Sequence, residues 1–259
     1  MGFGGVWGKA FLVLCLLLAP GWADAQSSRT VQGEGASGEL FLPARTPAPL
    51  IFVLHTAWGR VSPADVQYSK MLAQAGFVAF AIEYPSARGS GRGWVKPYLK
   101  LAMAQPEGAG QPWGAVGFSA GGPRTFWLAA GAPDRFKAVV SYYGTYDFQT
   151  TPVAAMRMPD SRGSPIAMLD RVHVAALLLH GAKDNEVPVE MVERMKAAMI
   201  ARGLPVEAII YPDCYHSFDR GPEPGMHGTT DNGTYVVYNS KCEADARART
   251  VTWFRTYLK

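Results

Sequence analysis

The chain has 259 residues, of which 48% are hydrophobic and 18% charged, and its formal net charge is +4. That length supports a single α/β domain around a buried sheet, and the composition excludes a disordered or fibrous chain. Lysine and arginine are scattered, which argues against a nucleic-acid surface or a polybasic membrane contact and leaves small molecules as the expected partners.

The N-terminus reads as a separate object. Lys9 precedes the apolar run AFLVLCLLLA, Pro20 and Gly21 break it, and Ala23 and Ala25 supply an A-x-A cleavage pattern. About ten apolar residues fall short of the roughly 20 that cross a bilayer, so a removed signal peptide over residues 1–25 is expected rather than an anchor. The mature chain, 26–259, would then begin at Gln26 as a single domain, exported to periplasm or medium and free of the membrane. Cys15 follows the bulky Leu14, which argues against lipid attachment there. Two cysteines remain, Cys214 and Cys242, and in an oxidising compartment an even pair is a disulfide candidate; two buried free thiols are the alternative.

Gly33, Gly35 and Gly38 spell G-x-G-x-x-G, but a dinucleotide fingerprint needs a strand before it and a helix after it. Here the leader precedes and the strand-like ELFLP follows, so the stretch is expected to be a flexible turn. From Leu50 onward, short apolar runs predict buried parallel strands over 50–55, 77–82, 113–118, 138–143, 174–180 and 206–211. Helical patterns lie between and after them over 64–76, 95–105, 121–133, 187–203 and 242–259, most closed by Gly or Pro. Strand and helix in alternation predict a mainly parallel sheet with helices on both faces.

In such a sheet, reactive groups gather past the carboxyl ends of the strands. Ser119 in GFSAGG follows a strand directly and opens a helix, the context of a nucleophile elbow, where small neighbours allow a tight turn. A serine hydroxyl needs a base held in one tautomer by a carboxylate. Asp184 in HGAKDNEVP and His216 in YPDCYHSF stand past the ends of the fifth and sixth expected strands, in the chain order Ser, Asp, His. Oxyanion donors are expected from the backbone N–H groups of Ala120 and, in HTAWG, Ala57. Of the other histidines, His55 is expected to brace a loop, His180 to pack inside, and His173 and His227 to be exposed. Neither the cysteines nor the histidines have metal-ligand spacing, and no cofactor or metal is expected.

Together HTAWG, GFSAGG, AVVSYYGTYD, GAKDNEVP and YPDCYHSF resemble the dienelactone hydrolases within the α/β-hydrolase fold. The resemblance spans most of the chain from about Leu40. It implies a nucleophile at Ser119, an acid at Asp184, a base at His216 and oxyanion donors at Ala57 and Ala120. The best-known members carry cysteine as nucleophile with a glutamate in the loop that is HTAWG here; this chain has Ser119, and Thr56 in the glutamate's place, which leaves a plain serine esterase mechanism. Members that take anionic substrates use arginines near the site, and Arg220 and Arg88 are the matching positions. Trp58, Tyr84, Trp94 and Tyr143 are either cleft or core residues. The segment 221–240 is an insertion after the histidine, either a cap or an idle loop. An ester or lactone hydrolase is the expected activity, with a non-catalytic binding module, an acyltransferase or a peptidase as alternatives; oligomeric state is open.

Overall fold

A computed structural model describes Met1 and residues 27–57, 59–85, 91–148, 163–221, 228–230 and 233–259. Residues 2–25 of the expected signal peptide, Trp58, Arg88 and His227 lie outside the described residues. Eight strands form one sheet: β1 (Ser28–Gly33), β2 (Ala36–Phe41), β3 (Leu50–Leu54), β4 (Val78–Ile82), β5 (Trp113–Phe118), β6 (Phe136–Tyr142), β7 (Ala175–Gly181) and β8 (Val206–Tyr211). Their spatial order is β1-β2-β4-β3-β5-β6-β7-β8. The pairs β1/β2 and β2/β4 are antiparallel and every other pair is parallel, as the alternating pattern implies.

Helices α1 (Pro63–Gln74), α2 (Val95–Met103), α3 (Gly121–Gly131), α4 (Pro165–Met168), α5 (Glu190–Ile200) and α6 (Ser240–Tyr257) cover the sheet. Alternate residues of the central strands feed two cores. Leu50, Phe52 and Leu54 of β3 pack with Leu99 of α2, Phe126 of α3 and Met195 of α5. Ile51 and Val53 pack on the other face with Tyr68 and Leu72 of α1 and Phe254 of α6. Burial on both faces is the reason these strands read as unbroken apolar runs. Among the described residues, no helix is long and apolar enough to cross a membrane.

Two stretches expected as turn or loop carry strands. The glycine-rich stretch is the bend of a hairpin, β1 pairing with β2 and Gly35 taking φ +70° at the turn. The strand before it, SRTVQG, buries only Val31, so its polar face at the sheet edge reads as a loop. Part of the 221–240 segment is also ordered against the body. Strands β9 (Gly228–Thr229) and β10 (Tyr235–Val236) pair, and Val236 bridges to His216.

Cys214 and Cys242 are joined in a disulfide with Cα atoms 6.9 Å apart. The bridge ties the loop after β8 to the first turn of α6, which Asn239 caps by accepting the Lys241 and Cys242 N–H groups. Closing a loop of 28 residues restricts the unfolded chain by roughly 3.5 kcal/mol. Cys242→Ser is therefore expected to lower the melting temperature by about 10 °C, measured by calorimetry; an unchanged transition would show that the bridge adds nothing.

Candidate active site

Ser119 follows β5 directly and takes φ +51°, a left-handed conformation that a serine adopts only where its surroundings impose it. Its N–H donates to Tyr142 O at 3.0 Å, and its carbonyl accepts the Gly122 N–H at 2.9 Å. Glycine is required on both sides of the turn. A Cβ on Gly117 would lie 2.2 Å from Gly121 O, and one on Gly121 would lie 2.5 Å from Leu54 O. That contact presses the start of α3 against the end of β3. The segment that starts α3 with Ala120 therefore adjoins the end of β3, three residues before Ala57.

The other two loops are fastened together in the same way. Lys183 N–H donates to Cys214 O at 3.0 Å and Ala182 N–H to Tyr211 O at 2.8 Å. A Cβ on Gly181 would lie 2.2 Å from Cys214 O. This close approach brings Asp184, after β7, beside His216, after β8. His216 Nδ1 is 2.7 Å from Asp184 Oδ2, and His216 Nε2 is 3.0 Å from Ser119 Oγ. A carboxylate only accepts hydrogen bonds, so Nδ1 carries the proton and Nε2 turns a lone pair to the serine hydroxyl.

Asp184 is buried, and its second oxygen accepts the Glu186 and Val187 N–H groups, both at 2.8 Å. Burial pushes this carboxyl up, but the attraction and hydrogen bond of His216 outweigh it and hold Asp184 below the ordinary carboxylate range. Asp184 therefore stays ionised at neutral pH. His180, fully buried, places Nε2 2.8 Å from Val187 O and 3.4 Å from Asp184 Oδ2. Burial lowers its basicity, which favours a neutral ring whose N–H points toward the carboxylate's side of the site. His55 is likewise buried, with Nδ1 2.7 Å from Thr56 O, and bracing its loop is the role its position suggests. His173 is exposed.

Arg220, expected at the substrate, and Tyr84 and Tyr143, expected in either cleft or core, all lie in the interior. Arg220 is buried, and its guanidinium donates to Asp65 Oδ1 at 2.7 Å while lying 4.2 Å from the Phe118 ring centroid. Asp65, which also caps α1 through Ser62, holds it in the interior. Tyr143 is fully buried, donates to Asp219 Oδ1 at 2.6 Å, and sets its ring 4.7 Å from the His216 ring. Tyr84 is buried, stacks on His55 at 4.0 Å and donates to the His55 carbonyl at 2.5 Å. Trp94 packs in the same interior cluster, 5.1 Å from Tyr84.

The insertion is fastened to the site as well. Asn185 Nδ2 donates to Gly233 O, Tyr235 N–H to Asn185 Oδ1, and Thr234 Oγ1 to Glu186 Oε2 at 2.8 Å. The same Glu186 oxygen is 3.7 Å from His216 Nε2, a second carboxylate at the imidazole that the sequence reading missed. Its only sequence signal is its place two residues past Asp184, which does not fix where the side chain points.

Known proteins bear on this arrangement. A 142-residue stretch is 30% identical to an Escherichia coli (strain K12) protein named "Putative carboxymethylenebutenolidase", covering 55% of this chain and 45% of that protein. A weaker match, 23% over 215 residues, joins 68% of this chain to 31% of dipeptidyl aminopeptidase BIII of Pseudoxanthomonas mexicana. The chain thus spans about half the length of the first of these relatives, or less. Among solved structures, a "Putative Dienelactone Hydrolase" from Klebsiella pneumoniae superposes with a TM-score of 0.73 at 23% identity, covering 90% of this chain and all of that one. The acylaminoacyl peptidase of Pyrococcus horikoshii superposes with a TM-score of 0.71 at 14% identity, over 90% of this chain and 42% of that one. These likenesses, with the sheet order above, make the fold that of the α/β-hydrolases. A model of the dienelactone hydrolase family matches residues 94–258, and the chain belongs to that family.

Proposed function

We propose that this protein is a serine hydrolase that cleaves a carboxylic ester or lactone through an acyl-enzyme. The observation that carries the reading is the single imidazole of His216, 2.7 Å from Asp184 on one nitrogen and 3.0 Å from Ser119 on the other. In the first half-reaction Ser119 Oγ attacks the carbonyl carbon while His216 Nε2 takes its proton. Asp184 steadies the imidazolium, and the backbone N–H groups of Ala57 and Ala120 receive the developing oxyanion. His216 then returns the proton to the departing oxygen as the carbon–oxygen bond breaks, and water repeats the sequence to release the acid. The φ of +51° at Ser119 supports this reading, because strain at a nucleophile is retained where it serves geometry.

Wild-type protein is expected to be labelled by a fluorophosphonate probe and Ser119→Ala to be unlabelled, with ester turnover falling by about 10⁴-fold or more. Folded wild type that takes no label would point instead to a binding module. Asp184→Asn reverses the tautomer preference of His216 and is expected to lower kcat by about 10³–10⁴-fold with little change in KM; a loss of less than about tenfold would remove Asp184 from this role.

Export is part of the same proposal. It rests on the apolar run and A-x-A pattern before Gln26 and on the disulfide, a bond that persists in oxidising compartments. Protein recovered from periplasm or medium is expected to begin near Gln26 on N-terminal sequencing; an intact N-terminus at Met1 on the folded, active protein would contradict it.

A further inference from the structure

We infer that Tyr143 is a positioning residue of this reaction: its ring packs against the His216 imidazole and keeps one nitrogen on Asp184 and the other on Ser119 while the proton moves. The inference rests on the serine-hydrolase reading above and adds a part that reading does not assign. It starts from the backbone. Among the described residues, three other than glycine take a positive φ: Ser119 at +51°, Ser217 at +57° and Tyr143 at +39°. The first is the nucleophile and the second directly follows the base. A bulky aromatic residue in this conformation is strained, and it persists only where its surroundings enforce it.

The strain has a visible result. Successive side chains of a strand point to opposite faces. Along β6, Ala138, Val140 and Tyr142 face the core beneath α1 and α6, and Val139 faces the other. Alternation would send Tyr143, the next residue past the strand, to the side of Val139; it packs instead with Tyr142, on the side that holds Phe218. There its ring centroid lies 4.7 Å from that of His216 and 5.7 Å from that of Phe218. The ring is fixed at both ends. The Tyr143 N–H donates to Leu179 O at 2.7 Å, and the hydroxyl donates to Asp219 Oδ1 at 2.6 Å with Arg220 Nε 3.4 Å from the same hydroxyl oxygen. Ser119 and Asp184 hold the imidazole only at its edge, so a swing of the ring about its Cβ–Cγ bond breaks both contacts, and a packed face resists that swing. The same contact puts the imidazolium formed during proton transfer within cation–π range of an aromatic ring. Tyr143 is fully buried, so its effect reaches the substrate through His216 and falls on kcat rather than KM.

The test measures kcat and KM for an activated ester in wild type, Tyr143→Phe and Tyr143→Leu, with active sites counted by fluorophosphonate titration. Phenylalanine keeps the ring, and leucine keeps an apolar side chain without it. Tyr143→Leu is expected to lower kcat by about tenfold with KM within about twofold, and to weaken or abolish the low-field proton resonance of the His216–Asp184 hydrogen bond. Tyr143→Phe is expected to hold kcat within about threefold of wild type and to keep that resonance. Tyr143→Met, which fills space adaptably, stands in should the leucine variant not fold, with the same loss expected. A folded leucine or methionine variant with wild-type kcat and resonance, or a phenylalanine variant as impaired as they are, overturns the assignment, while labelling of wild type at Ser119 leaves the serine mechanism standing. Folded wild type with neither turnover nor labelling would instead bring down both readings.

Discussion

Three loops, leaving the sheet after β5, β7 and β8, have to meet around one imidazole ring, and most of the structure near the site follows from that constraint. The ring can bond at only two nitrogens, so Ser119 and Asp184 must approach from opposite sides at hydrogen-bond distance. Backbone has to come within contact range for this to happen, and side chains are absent where it does. Gly117 and Gly121 let the serine turn fold against the end of β3, and Gly181 lets the aspartate loop lie against Cys214 two residues before the histidine. An alanine at any of the three meets backbone atoms that cannot withdraw. The disulfide adds a covalent tether on the far side of the same loop, from Cys214 to the first turn of α6.

Electrostatics around the ring divide into two layers. On the inner side, Asp184 is kept ionised by His216 and by two N–H donors, with the neutral His180 behind it. Deeper still, Arg220, Asp65, Tyr143 and Asp219 form a buried polar network that begins at the cap of α1 and ends against the face of His216. Burial pushes the Asp219 carboxyl up, and Arg220 and the Tyr143 hydroxyl only partly oppose this. Removing one member of such a network leaves its partner charged or unpaired in the interior, which is the costly outcome. Its place beneath the imidazole gives the cation four residues past the histidine a structural role.

The fold was largely legible in the sequence because burial on both faces leaves a plain signature. All six expected parallel strands appear within about two residues of their expected limits, and the Ser, Asp and His positions follow from lying just past strand ends. What was not legible depends on partners distant in the chain. Arg220 reads as a ligand group until Asp65, 155 residues earlier, is seen beside it. Tyr84 and Tyr143 stay open between cleft and core because nothing local shows that their hydroxyls are taken by His55 O and Asp219. The edge strand β1 is masked by its own polar face, and Glu186 by its ordinary look beside Asp184.

The chemistry argued for this site comes down to a covalent bond that forms and breaks at one oxygen. Acid quenching during turnover of an activated ester, followed by peptide mass mapping, looks for that bond directly. The mass of the acyl group is expected on the peptide carrying Ser119, with no such adduct in His216→Ala. An adduct on a different residue, or steady turnover with no adduct at any quench time under conditions where deacylation is slow, would contradict it.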